Sequence, residues 1–383
     1  MNYRDFLYGD WELPDYIEAL VHTKEMMRLR NISQDVLPHF LLPCAIPNRF
    51  QHSMGVCHAA NLVMAHNPCL GEYEKRLLLI SALLHDAGNT PFSHVGERYL
   101  RTLNGCDGES FLGAILQGSE SEKIIQENGL TVDEVVQCVT GNMKPLSDVL
   151  NGSLDIDNCD NVARYHYAAT LGSAVEPSVF EIVTSFRFIN NRWWLMPEQC
   201  LLDVDRWIHA RNRVYTYIYT SLNVRSMLHR ALQFAFEVGQ LKLDFFLLDD
   251  SKAFEHLLTK CNPLTQRIAR LLERWNFYEE ACLVVQKDPS PLVISLSDNW
   301  QARARFADRI AKECNLPQVA VCVYAGKGRE KRAITVPFVG IDPPFKEKTD
   351  KDHSAYRLGV YVDPQYAQKD NLTHIIKELC ENT

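Results

Sequence analysis

The sequence predicts a mainly α-helical fold carrying a small β-hairpin insertion, followed by a C-terminal α+β module. Three observations predict it. Helical stretches punctuated by Gly, Pro and capping residues run through residue 282; two short β runs flank Asn190-Asn191; and from Leu283 onward β runs alternate with helices. The expected division is 1–282 for the helical domain, with its motif-bearing core at about 21–224, and 283–383 for the α+β module. A chain of 383 residues, 46% hydrophobic and 23% charged, can bury a sizeable core.

Residues up to Ile17 mix aromatics, acids and Pro14 and read as an irregular arm with no chemistry of its own; Val21 to Gln34 reads as a helix carrying Arg28 and Arg30. The segment VLPHFLLPCAIP, Val36 to Pro47, is apolar and punctuated by proline, which suits an extended crossing. It delivers Arg49, whose fixed fork of donors matches a phosphate; a salt bridge to an acid brought near by folding is the alternative. An amphipathic run from Met54 to Met64 then places His52 in the first turn of a helix. His58 and His66 on that helix have no evident partner and read as surface or core histidines.

The next run, Leu77 to Leu84, is apolar apart from Ser81 and ends on His85 and Asp86. An imidazole and a carboxylate at the end of a buried helix need a partner, and a cation satisfies both. Gly88 suits a left-handed helix terminus and Pro91 prevents the helix from resuming. Ser119 to Glu122 reads as a capped helix start. Asp157 stands near the start of another helix, beside Asp155 and Asp160, so two imidazoles and two carboxylates are available in all.

Phe186 to Leu195 reads as a hairpin around Asn190-Asn191. A long helix is expected from Leu202 to Val238, with Arg211, Tyr215 and Tyr219 recurring every four residues on one face. An arginine within an aromatic stripe needs an anion. In the C-terminal module, LVVQ, PLVISL, VAVCVYA, AITVPFVG and YRLGVYVDP read as β runs, with helices at Asn299 to Cys314 and Leu372 to Glu381. Gly326 to Arg332, GKGREKR, reads as a solvated hairpin tip, with a phosphate-binding loop as the weaker alternative.

Composition excludes several classes. A net charge of −8 gives no overall attraction for nucleic acid or an acidic membrane. The apolar runs fall short of the roughly 18 residues of a membrane span. Twelve scattered cysteines without CxxC pairs, and no basic-then-apolar leader, fit a reducing cytoplasm.

Taken together, RFQHS, HDAGNTPFSH and DIDNCDNVAR resemble the HD-domain metal-dependent phosphohydrolase superfamily, and within it the dNTP triphosphohydrolase branch, whose order is RFxHS, HDxGHxPFSH and DxDxxDxxxR. The resemblance covers about Val21 to Val224 and implies an HD-domain helical bundle. It implies His52, His85, Asp86 and Asp157 as ligands of a divalent metal, with Asp86 also a catalytic residue. Arg28 to Gln34 is similar to the family's RLRxIxQ segment, which puts Gln34 against a nucleotide sugar. Ala210-Arg211-Asn212 with Tyr215 and Tyr219 is similar to its phosphate-contacting helix, making Arg211 and Tyr215 substrate contacts.

Two histidines of that pattern are replaced, by Asn89 and by Gly108 of the Gly108-Glu109 pair; Tyr165 replaces an acid, and Asn158 and Asn161 replace substrate-binding residues. Asn89 can hydrogen-bond a phosphate oxygen but does not titrate near neutral pH. His94 is then the imidazole left to protonate a leaving oxygen, the alternative being that it only packs under the loop and hydrogen-bonds a backbone carbonyl. Two His and two Asp ligands suit Mn, Fe, Co or Zn and can serve Mg. The expected activity is attack of water at phosphorus of a nucleotide, with (d)NTP triphosphohydrolysis first. A nucleotidase, phosphomonoesterase or phosphodiesterase of the same superfamily, or a non-catalytic nucleotide sensor or scaffold, are the alternatives. The expected partner is a small-molecule nucleotide, not nucleic acid or membrane; a homo-oligomer is left open.

Overall fold

The structure is a computed structural model that describes residues 1–35, 47–169, 178–217, 221–328, 334–340, 345–346, 355–367 and 372–381. The crossing expected at Val36–Pro47 lies almost wholly outside the described residues, as do Tyr219 and Arg329 to Arg332. Among the described residues α-helices dominate and every sheet is small and antiparallel, so the fold is mainly α.

The main core is built on two helices, Arg49–Ala65 and Glu72–Leu84. The first is buried around most of its circumference from His52 to Ala60, not amphipathic as its sequence suggested, because the Ile156–Ala168 helix and the N-terminal residues cover the faces that its neighbour leaves. The opening residues are not irregular. Asn2–Asp5 and Gly9–Glu12 pair as a hairpin and Asp15–Val21 is a helix, with Trp11 of the hairpin stacked on His58 at 4.9 Å. His58 is therefore a core histidine, and burial lowers its pKa to about 4.

Several expected elements divide where backbone polar groups find other partners. The helix expected at Val21–Gln34 breaks at His22-Thr23, resumes at Lys24–Arg28 and tightens into a 3-10 turn at Leu29–Asn31. The long helix is two, Pro197–Tyr217 and Leu222–Glu237; Ser221, with ψ of 60°, is not helical. PLVISL is helical, not extended: Ser290 caps Pro291–Asp298 by accepting the Val293 N–H, and Pro291 suits a first helical turn. The hairpin Phe186–Ile189 and Arg192–Leu195 forms as expected, with Asn190 and Asn191 at φ of 51° and 60°.

The C-terminal sheet has Glu279–Gln286 and Val321–Lys327 on either side of Tyr356–Val362. One face packs on the Trp300–Glu313 and Leu372–Glu381 helices. The other meets the Leu222–Glu237 helix, where Met227 and Ala231 share a cluster with Cys322 and Tyr361. Among its described residues AITVPFVG contributes only Thr335–Val336 as strand; Ile334, Val336 and Phe338 join the main helical core, and the Leu195 N–H donates to the Pro337 carbonyl at 2.8 Å.

Candidate metal centre

A reciprocal cap sets the register of the Arg49–Ala65 helix: the Gln51 N–H donates to Asn48 Oδ1 at 2.9 Å and the Asn48 N–H to Gln51 Oε1 at 3.3 Å. Arg49 and His52 are thus fixed in its first turn, and both are buried. Asp155 caps the Ile156–Ala168 helix by accepting the Asn158 N–H at 2.7 Å, which places Asp157 and Asp160 in the opening turns. His85 closes the Glu72–Leu84 helix.

The tautomers of both histidines follow from their partners. His85 Nδ1 lies 2.8 Å from the Ala82 carbonyl, which can only accept, so Nδ1 carries the proton and Nε2 presents a lone pair. His52 Nδ1 lies 2.7 Å from Asp160 Oδ1. Arg164 donates to both Asp160 oxygens at 2.9 and 2.7 Å, which keeps that carboxylate ionised and makes His52 Nδ1 the donor. The two Nε2 atoms then face each other at 3.3 Å, with Asp157 Oδ1 2.8 Å from His52 Nε2. Facing lone pairs repel unless a cation joins them. Without a metal that cation is a proton on His52: burial opposes it, but the hydrogen bonds to Asp157 and Asp160 prevail and raise the pKa to about 10.

This donor set fits a divalent metal. His52, His85 and Asp157 each offer one ligand atom, all within 4.8 Å of one another, and a carboxylate behind a ligating imidazole is the usual second layer. Asp86 adjoins them, with Oδ2 3.8 Å from His52 Nε2 and 3.6 Å from His85 Nε2. Its carboxylate also takes 3.0 and 2.9 Å hydrogen bonds from Arg49 and one from the Asn89 amide. Burial opposes its charge, but Arg49 and the two histidines outweigh burial and hold its pKa well below the usual carboxylate range.

The remaining expected site residues divide. Gln34, Arg49, Asn89, His94 and Tyr215 line one cavity of about 680 Å³ together with His85, Asp86 and Asp157. Arg211 is not among the described residues lining it; its guanidinium lies 4.5 Å from the Tyr215 ring centre. Arg49 spends its fork on Asp86, Ser93 Oγ and the Gln34 carbonyl. His94 is exposed and pairs with Glu97 at 3.1 Å, so it does not pack under the loop. Gly326, Lys327 and Gly328 also line the cavity, so this end of the GKGREKR loop is a wall of the site and not a solvated tip.

Gly88 is not left-handed. A Cβ there would lie 1.9 Å from the Gly108 carbonyl oxygen, so glycine serves close approach instead of a helix terminus. A Cβ at Gly108 would in turn meet Asn89 Oδ1 at 3.3 Å, which couples the two positions where the family's histidines are absent. Positive φ falls on Phe92 and Ser93, at 61° and 51°, a strained pair held because Asp250 accepts both the Phe92 N–H at 2.7 Å and the Ser33 N–H at 2.9 Å.

Sequence reasoning missed these supports. Asp160, taken singly, reads as a solvated acid of a helix start but is fully buried, Asp5 of the N-terminal arm pairs with Arg164 at 2.9 Å, and Arg28 donates to the Ala87 and Asn89 carbonyls at 2.9 and 2.7 Å. The four-residue spacing of Asp160 and Arg164 was the one local signal available.

The fold and the site define a helical domain with a histidine–aspartate cluster whose donors could hold a metal. Residues 49–165 match the HD domain family model. The chain is 26% identical over 296 residues, 76% of this chain and 61% of the relative, to an uncharacterized protein of Methanocaldococcus jannaschii. It is 25% identical over 278 residues, 66% of this chain, to a protein of Dictyostelium discoideum named a deoxynucleoside triphosphate triphosphohydrolase SAMHD1 homolog, of which it spans 52%. The chain thus spans between half and two thirds of these curated relatives. In fold it is similar to a hypothetical protein of Aquifex aeolicus, with a TM-score of 0.74 at 18% identity over 98% of this chain and 99% of that one.

Proposed function

We propose that the protein is a metal-dependent phosphohydrolase acting on nucleotides, in the manner of a (d)NTP triphosphohydrolase. The observation that carries the reading is the pair of imidazole Nε2 atoms 3.3 Å apart, each with its Nδ1 engaged elsewhere, with His85 and Asp157 at the wall of a 680 Å³ cavity and His52 buried behind them. That volume falls within the range of small-molecule sites, about 300–1,000 Å³. His52, His85 and Asp157, with Asp86 as the fourth ligand, would hold the ion. Bound there, a divalent metal lowers the pKa of water and withdraws charge from a phosphoryl oxygen.

The chain's own residues complete the chemistry. Arg49 and Asn89 orient Asp86, and His94, exposed at the cavity wall, can give a proton to the leaving oxygen while Glu97 holds its Nδ1. Gln34 is buried with its Oε1 lacking a partner among the described residues, an acceptor suited to a sugar hydroxyl. The nucleotide part of the reading is supported by the names of the relatives; the metal part is supported by the cluster itself. Metal-loaded protein incubated with a panel of nucleotides and assayed for tripolyphosphate, pyrophosphate and orthophosphate tests it. Tripolyphosphate from a deoxynucleoside triphosphate is expected, orthophosphate alone would make it a phosphomonoesterase, and tight nucleotide binding without turnover under any metal would make it a sensor.

A further inference from the structure

The cavity is walled by residues from both halves of the chain. His94 and Arg98 lie four residues apart on the His94–Asn104 helix, so they share a face and are separated by roughly 6 Å of rise. Beyond His94 the cavity meets Arg98, Arg225 of the Leu222–Glu237 helix, and Lys327 and Arg357 from the facing ends of two C-terminal strands. Four cations from four separate elements line the one cavity.

Their neighbours do not neutralise them all. Asp35 accepts two hydrogen bonds from Arg225, at 2.7 and 2.6 Å, and Asp298 is the acid that the C-terminal module itself adds to the wall. Arg98 is half-buried and its guanidinium makes no hydrogen bond or ion pair with a described residue. Burial above all, with Arg225 and Arg101 adding repulsion, holds its pKa below the ordinary arginine value. An arginine kept charged in such a place is stabilised by an anion.

The strand ends show how the wall is shaped. Lys327 lies opposite Tyr356 in the sheet, its Nζ 5.8 Å from the ring centre, and Gly326 lies opposite Arg357. A Cβ at Gly326 would lie 2.8 Å from the Tyr324 hydroxyl, so glycine lets that phenol fold along the strand into the cavity that Arg98 also lines.

We propose that Arg98, Arg225, Lys327 and Arg357 form a second anion site, which takes a phosphate group other than the one attacked at the His–Asp cluster, and that the C-terminal module exists in part to complete it. As far as the source of that phosphate is concerned, the inference rests on the phosphohydrolase reading; the existence of the site does not. The phosphate is either the far end of the substrate's own chain or a free phosphate bound beside the substrate.

Tripolyphosphate and orthophosphate titrated calorimetrically into the full chain, with chelator present, test the site without any turnover. Tripolyphosphate is expected to bind, with Arg98→Gln and Lys327→Gln each weakening it about tenfold and Arg98→Lys restoring much of the loss, since charge is what the site reads. Thermal melting of each variant guards against misfolding. Failure to bind, or binding indifferent to both substitutions, overturns the proposal. If the phosphate belongs to the substrate, Arg98→Gln raises KM for a nucleoside triphosphate with kcat little changed. If it is separate, added orthophosphate changes wild-type turnover of the triphosphate and the variants lose that response. Loss of tripolyphosphate binding in the variants of a protein that hydrolyses no nucleotide would sink the hydrolase reading and leave the site standing; normal turnover with unaltered binding would do the reverse.

Discussion

Replacing Asp160 by Asn tests whether the cluster is a metal centre oriented from behind. Asp160 touches neither the cavity nor the facing Nε2 atoms; it accepts from His52 Nδ1 at 2.7 Å and is clamped by Arg164 at 2.9 and 2.7 Å. An amide at this position keeps the shape but removes the charge that fixes the His52 tautomer, and its NH2 can turn toward either neighbour. Loss of such a second-layer partner typically costs about 10–100-fold in metal affinity, equivalent to about 1.4–2.8 kcal/mol. Arg164 retains Asp5 at 2.9 Å, so the buried guanidinium is not stranded and the fold should survive. Competition between the protein and a chelator for Mn or Zn, alongside a thermal melt, is the assay. An unchanged metal affinity in a folded Asp160→Asn protein would refute the argument, because the tautomer would then be set by something other than Asp160.

Three further outcomes follow from the same geometry. Asp157→Ala should abolish hydrolysis, whereas Asn89→Ala, which removes one hydrogen bond to Asp86 of about 0.5–1.5 kcal/mol, should reduce it at most about tenfold; equal losses in a turnover assay would give Asn89 a larger role. His94 has 71% of its side chain exposed, so His94→Gln should leave folding and metal content intact while lowering kcat by about 10²-fold or more, and unchanged kcat would remove it as the proton donor. In metal-free protein the His52 pKa stands near 10, above its unfolded value of about 6.5. Its stabilising contribution is therefore complete below about pH 6.5 and is lost as pH rises through 10. Because a metal must displace that proton, affinity should rise up to about tenfold per pH unit below 10, and a pH-independent affinity measured with a non-hydrolysing metal would contradict the protonation assignment.

How much of this was legible beforehand differs by element. The hairpin at Asn190-Asn191, the Ser119 cap and the first-turn position of His52 were readable because turn chemistry, capping and helical spacing act within a few residues. PLVISL was misread because a short apolar run is compatible with either period, and the Ser290-Pro291 start decided for helix. Arg49 matched a phosphate by residue type, yet in the fold it meets Asp86, 37 residues on. Nothing periodic in a sequence records such a choice.

By itself, then, the sequence determined the mainly helical class, and local signals in it place His52, His85, Asp86 and Asp157 at helix ends. Only the tertiary structure decided what supports and encloses them. Asp5 reaches Arg164 across 159 residues, Ser33 and Phe92 share Asp250, and Lys327 faces the same cavity as His85. The physical reason is that a buried charge is satisfied by whichever opposite charge or donor packing brings within hydrogen-bond reach, and that reach is set by how helices and sheet stack, not by spacing along the chain.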